Sequence, residues 1–110
     1  MKKIIIVLVL IFAISGYAQK KSAKYKIEVD GVCEMCKERI EKACLTTKGV
    51  KYATWNVETH QLVVILNEKK TSIKTVKENI AQVGHDTDEI KATQEVYDKM
   101  PECCKYRDME

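Results

Sequence analysis

The sequence predicts an α+β fold: a ferredoxin-like βαββαβ sandwich, with two helices on one face of a four-stranded antiparallel sheet and a short C-terminal tail. Three observations predict it. Apolar residues alternate with polar ones in separate short stretches, two other stretches repeat them at the helical period, and glycines punctuate the joins.

Tyr25, Ile27 and Val29 alternate with Lys26, Glu28 and Asp30, as in a half-buried strand, and Gly31 breaks the run. Over residues 34–46, Cys36, Ile40, Ala43 and Cys44 fall on one helical face, and Gly49 stops that helix. Ala53, Trp55 and Val57 share a face of residues 50–57, as do Leu62, Val64 and Leu66 of residues 62–66; residues 58–61 join the two as a hairpin. A second helix opens at Thr71 or Ser72, both N-cap types, and spaces Ile73, Val76, Ile80 and Val83 by 3.6 residues. Gly84 suits its C-terminal cap. A short edge strand over residues 89–92 completes the sheet. The domain thus covers residues 24–92, and residues 93–110 form a tail that begins as a short helix ending before Pro101.

Upstream, Lys2 and Lys3, the apolar run from Ile4 to Ile14 and small residues up to Ala18 have the three zones of a secretory signal, with cleavage expected after Ala18. The run is about 11 residues against the roughly 20 of a transmembrane helix, so no stable membrane insertion is expected after cleavage. Residues 19–23 read as a leader, and the product is expected in the periplasm. Without residues 1–18 the chain keeps 17 basic residues (19 less Lys2 and Lys3) against 16 acidic ones. A nearly neutral mixture gives no electrostatic case for nucleic acid or an anionic membrane. A domain this small has a marginal core, so a bound metal or a packed tail can matter to its stability.

All five cysteines, Cys33, Cys36, Cys44, Cys103 and Cys104, follow the signal. In an oxidising compartment an odd number leaves at least one thiol unpaired. Cys33 and Cys36 sit where the first strand hands over to the first helix. The free N–H groups and partial positive charge of a helix N-terminus stabilise a thiolate, so these thiols should titrate below their usual range. Two thiolates across two intervening residues can converge on one ion. Soft sulfur selects soft cations, Cu(I) foremost, with Zn(II) borderline. A structural zinc site wants four closed ligands, whereas this one is open and suited to exchange.

The run V-D-G-V-C-E-M-C-K-E-R-I-E-K-A, followed by K-G-V and then V-G-H-D, resembles the heavy-metal-associated domain family of copper chaperones, metal-binding domains of copper-transporting ATPases and periplasmic mercury binders. The resemblance spans residues 24–92 and implies that Cys33 and Cys36 are the metal ligands. It implies Cu(I) as the ion, with Hg(II) next and Zn(II) or Cd(II) as further options, for periplasmic sequestration, delivery or detoxification. It also implies metal-exchange partners: a transporter, an efflux component or another metal-binding domain. The family's usual G-M-x-C-x-x-C is one residue shorter here, with Val32 alone between Gly31 and Cys33 and no buried Met.

His85 stands in the loop after the second helix as an added ligand, a tuner of the site or an exposed loop residue. Cys44 reads as a small buried hydrophobe. For Cys103 and Cys104 three readings stand: the tail folds over the metal loop and adds one or two sulfurs, one of them forms a disulfide with Cys33 or Cys36, or the tail is disordered. Met35 should point outward and not ligate. No hydrolase constellation and no phosphate-cradling glycine loop is visible, so the chain reads as no enzyme. A thiol-disulfide redox protein is the main alternative, yet its motif usually pairs with a proline opposite, and Pro101 in the tail is the one proline present. A non-metal partner-binding module on the same fold is the other.

Overall fold

The alternating stretches form the sheet. In the computed structural model, which describes residues 22–109, β1 is Ser22–Glu28, β2 is Val50–Trp55 and β3 is Gln61–Asn67, all antiparallel in the order β1-β3-β2. The expected signal, residues 1–18, lies outside the described residues. β1 begins earlier than the alternation suggested: Ser22 and Ala23, assigned to the leader, already pair with Asn67 and Leu66. β3 is central, so it is paired on both edges, and its core-facing Leu62, Val64 and Leu66 are fully buried. At about 1.5–3 kcal/mol for each fully buried large apolar side chain, this row is a main source of stability. The hairpin turn closes on Asn56, whose Oδ1 accepts the N–H groups of Glu58 (2.8 Å) and Thr59 (2.9 Å).

The two helical stretches become α1 (Glu34–Leu45) and α2 (Ile73–Gln82). α1 packs against β2 and α2, burying the expected face of Cys36, Ile40, Ala43 and Cys44. Burial, reinforced by the nearby charge of Glu41, pushes the Cys44 thiol up to about 12, so it stays protonated as a core residue. Ser72 caps α2 by accepting the Thr75 N–H at 3.2 Å. Gly84 follows α2 with φ +108°, and a Cβ there would lie 2.5 Å from the Met100 sulfur. The position thus needs glycine for its backbone and for the close approach of the tail.

One expected element does not form. Among the described residues the sheet has three strands, and in place of a fourth over residues 89–92 there is an isolated bridge between Val29 and Thr87. The loop consumes its own hydrogen-bonding groups. The Thr87 N–H and hydroxyl both donate to the Ile90 carbonyl, the Ile90 N–H returns to the Thr87 hydroxyl, and the Ala92 N–H donates to the Asp86 carboxylate at 2.7 Å. With those donors turned inward, no ladder can propagate.

The tail folds as α3 (Gln94–Asp98) and two 3-10 turns, Glu102–Cys104 and Tyr106–Met109. Tyr97, Met100, Cys104 and Tyr106 are buried in the same core as Trp55 and Ile40, so the disordered-tail reading does not hold. No helix among the described residues is long and apolar enough to cross a membrane.

Candidate metal centre

Cys33 is the N-cap of α1, with extended backbone (φ −146°, ψ 177°), and Cys36 lies in the first turn. Their sulfurs are 3.4 Å apart. Cys36 is fully buried and Cys33 partly exposed, so the pair has one anchored and one accessible sulfur. Burial works against a Cys33 thiolate, but the Cys36 N–H, the Cys36 thiol, the Met35 N–H and the Cys104 thiol together outweigh it, and the Cys33 pKa lies below that of an ordinary thiol. That is the direction a helix N-terminus imposes.

The open side of Gly31 is filled by Trp55, whose ring carbons lie 2.9 and 3.0 Å from where a Cβ would be. The indole is held by its N–H donating to the Val29 carbonyl at 3.0 Å. Lys37 ties the helix to the same strand end, donating to the Trp55 carbonyl (2.9 Å) and to Glu41, while Glu41 accepts the Trp55 N–H (2.8 Å). The two cysteines thus rest on a braced junction.

The tail brings two more sulfurs to this point. Cys104 Sγ is 4.0 Å from Cys33 Sγ, and the sulfurs of Cys33, Cys103 and Cys104 lie within 4.8 Å of one another. Cys33 is the hub, in contact with both Cys36 and Cys104. Cys104 is fully buried, and burial first, then the neighbouring Cys36 and Cys33, push its thiol well up from the ordinary range. Cys103 is exposed; its thiol donates to the Met35 sulfur at 3.2 Å, and its carbonyl accepts from Cys33 at 3.4 Å. Met35 is half-exposed, as expected for the outer side of the first turn. All five cysteines are free thiols, and Cys33 stands from Cys36 and Cys104 at separations well beyond the ~2.05 Å of a sulfur–sulfur bond.

His85 departs from the exposed-loop reading and is not among the converging ligands. It is fully buried, its Nδ1 lies 2.7 Å from the Asp30 carbonyl, and its ring stacks on Tyr106 with centroids 5.4 Å apart. A carbonyl only accepts, so Nδ1 carries the proton and Nε2 is bare, buried and without a hydrogen-bond partner among the described residues. Burial, aided by the charge of Arg39 and opposed by the Asp30 carbonyl, lowers its pKa to about 4, so the ring is neutral. His85 therefore braces the backbone three residues before Cys33.

Arg107, which the sequence did not single out, helps two tyrosines to hold the tail. The Tyr106 hydroxyl accepts the Asp86 N–H at 2.9 Å and donates to the Gly84 carbonyl at 2.8 Å. Arg107 pairs with the Asp86 carboxylate at 2.7 Å, donates to the Ala92 carbonyl at 2.8 Å and lies 4.4 Å over the Tyr97 ring. Tyr97 meets Tyr106 edge to face at 5.3 Å.

Residues 26–86 match the family model described as the heavy-metal-associated domain. The chain is 33% identical over 61 residues to the copper chaperone CopZ of Staphylococcus epidermidis, an alignment taking in 54% of this chain and 90% of that protein. Among solved structures, oxidized MerP from Ralstonia metallidurans CH34 superposes with a TM-score of 0.58 at 26% identity, covering 61% of this chain and 94% of that one. The N-terminal domain of a potential copper-translocating P-type ATPase from Bacillus subtilis, in its Cu(I)-loaded state, does so with a TM-score of 0.58 at 28% identity, covering 60% and 84%. The family match ends at residue 86, so Cys103 and Cys104 lie beyond it.

Proposed function

Because this chain belongs to the heavy-metal-associated domain family, whose domains and copper chaperones are metal-binding carriers and not enzymes, we propose that it carries one Cu(I) ion as cargo on the thiolates of Cys33 and Cys36. The observation that carries this reading is the pair of sulfurs 3.4 Å apart at the start of α1, one of them with a lowered pKa. Each thiol gives its proton to solvent as its sulfur takes the metal, and the accessible Cys33 is the sulfur a partner's thiolate displaces first. Stepwise exchange then passes the ion on without releasing it. The likeness to a copper-translocating ATPase domain supports a transporter as the partner, with an efflux component or another metal-binding domain filling the same role. The basic, apolar and small-residue order of residues 1–18 supports placing this carrier outside the cytoplasm, in the periplasm.

Hg(II) is the second cargo, favoured by the likeness to MerP. Anaerobic competition titration of the reduced protein with Cu(I), Hg(II), Zn(II) and Cd(II) separates the two. Cu(I) should bind at one ion per chain and resist exchange by Zn(II) and Cd(II). Tight binding of Zn(II) with weak binding of Cu(I) would refute the proposal.

A further inference from the structure

We propose that Cys104 is a third sulfur ligand, so that the tail closes the Cys33–Cys36 pair into a three-thiolate site; this rests on the metal-carrier reading above. The spacing of the sulfurs points to it. At a metal–sulfur distance of ~2.3 Å, two sulfurs on opposite sides of an ion stand about 4.6 Å apart and three around it in a plane about 4.0 Å apart. Cys33 is 3.4 Å from Cys36 and 4.0 Å from Cys104, short of the linear span and near the trigonal one. Cys36 and Cys104 are both fully buried, so the two inner sulfurs face the hub from inside the protein. Soft thiolate ligands select a soft ion such as Cu(I), and a third sulfur adds a ligand of the same kind.

The tail is fixed well enough to offer a ligand. Cys104 lies between Met100, which packs over Gly84, and Tyr106, whose hydroxyl is satisfied on both sides by the loop after α2. Lys105 donates to the carbonyls of Tyr97 and Asp98 at 3.0 and 2.9 Å, fixing the turn between the cysteines and the aromatic pair. Of the adjacent cysteines, Cys103 faces outward to Met35, which leaves Cys104 as the inner sulfur. On binding, the Cys104 thiol gives its proton to solvent and a sulfur–metal bond forms. On transfer, a partner's thiolate takes the place of Cys104 or Cys33 one bond at a time, so the tail slows loss of the ion to solvent.

The test is X-ray absorption at the copper edge on the reduced monomeric chain holding one Cu(I), together with competition affinity, for the wild type, Cys104→Ser and Cys103→Ser. The wild type should show three sulfurs and Cys103→Ser should keep three. Cys104→Ser should show two and bind more weakly by at least the about 10- to 100-fold that losing an outer partner of a metal site costs. Two sulfurs in the wild type, or unchanged affinity in Cys104→Ser, would overturn the inference while leaving the two-cysteine carrier intact. A sulfur lost from Cys103→Ser and not from Cys104→Ser would overturn it in favour of the outer cysteine. Failure of the wild type to bind Cu(I) at all would sink the carrier reading and this inference together. The wild-type count decides even if Cys104→Ser does not fold.

Discussion

Cys33-x-x-Cys36 and Cys103-Cys104 meet at one point but are put there by different physics. The first pair is placed locally: a strand ends, a helix begins, and the N-terminus of that helix sets the spacing and the charge on sulfur. The second pair is placed at a distance, by an aromatic and ionic clamp around Tyr97, Tyr106, Arg107 and Asp86. Local placement makes a site that needs only the strand-to-helix junction. Distant placement makes one that depends on the tail staying docked, and so can be loosened without unfolding the sheet.

Breaking the clamp should produce the largest effect. Tyr106→Ala removes a buried ring and leaves the Asp86 N–H and Gly84 carbonyl unsatisfied, so we expect a loss of about 3–5 kcal/mol in urea unfolding. A loss below 1 kcal/mol, on the order of a surface change, would mean the tail is not part of the core.

Acid should act on the same contact next. The folded pKa of His85, about 4, lies below the ordinary 6.5, so the unfolded chain binds more protons between those values. The stabilisation from neutral His85 is therefore complete above pH 6.5 and is lost as pH falls toward 4, about 3 kcal/mol in all. Urea unfolding at pH 7 and 4.5 should show this slope in the wild type and a shallower one in His85→Gln. Equal slopes would detach His85 from the account.

A smaller loss is expected at the rim of the clamp. Arg107→Ala forfeits a charge-assisted pair with Asp86 whose arginine is about a quarter exposed, so about 1–2 kcal/mol should go. Proteolysis should then reach the tail before the sheet. Within the tail, the highly exposed Glu95–Lys99 pair is the contrast: Glu95→Ala should change stability by less than about 0.5 kcal/mol.

The sequence made the local half of this molecule readable and the distant half only partly so. The strand alternation, the buried face of α1, the Ser72 cap and the cysteine pair all follow from spacing, because each depends on neighbours a few residues away. Cys44 was legible as core for the same reason. The fourth strand failed because Thr87 and Asp86 offer side-chain partners that compete with a ladder, a choice invisible in a pattern of apolar residues. His85 looked like a loop residue because its burial comes from Tyr106, which lies 21 residues further along the chain. Cys103 and Cys104 could be suspected of reaching the loop, but which one points inward is set by a 3-10 turn that no periodicity encodes.

The central claim is that Cys33 and Cys36 hold the metal, and the most direct test is anaerobic Cu(I) competition on the wild type beside the double variant Cys33→Ser, Cys36→Ser. The wild type should hold one Cu(I) per chain against the competing chelator, and the folded double variant should surrender it. A double variant that keeps wild-type affinity would contradict the account, whatever the tail contributes.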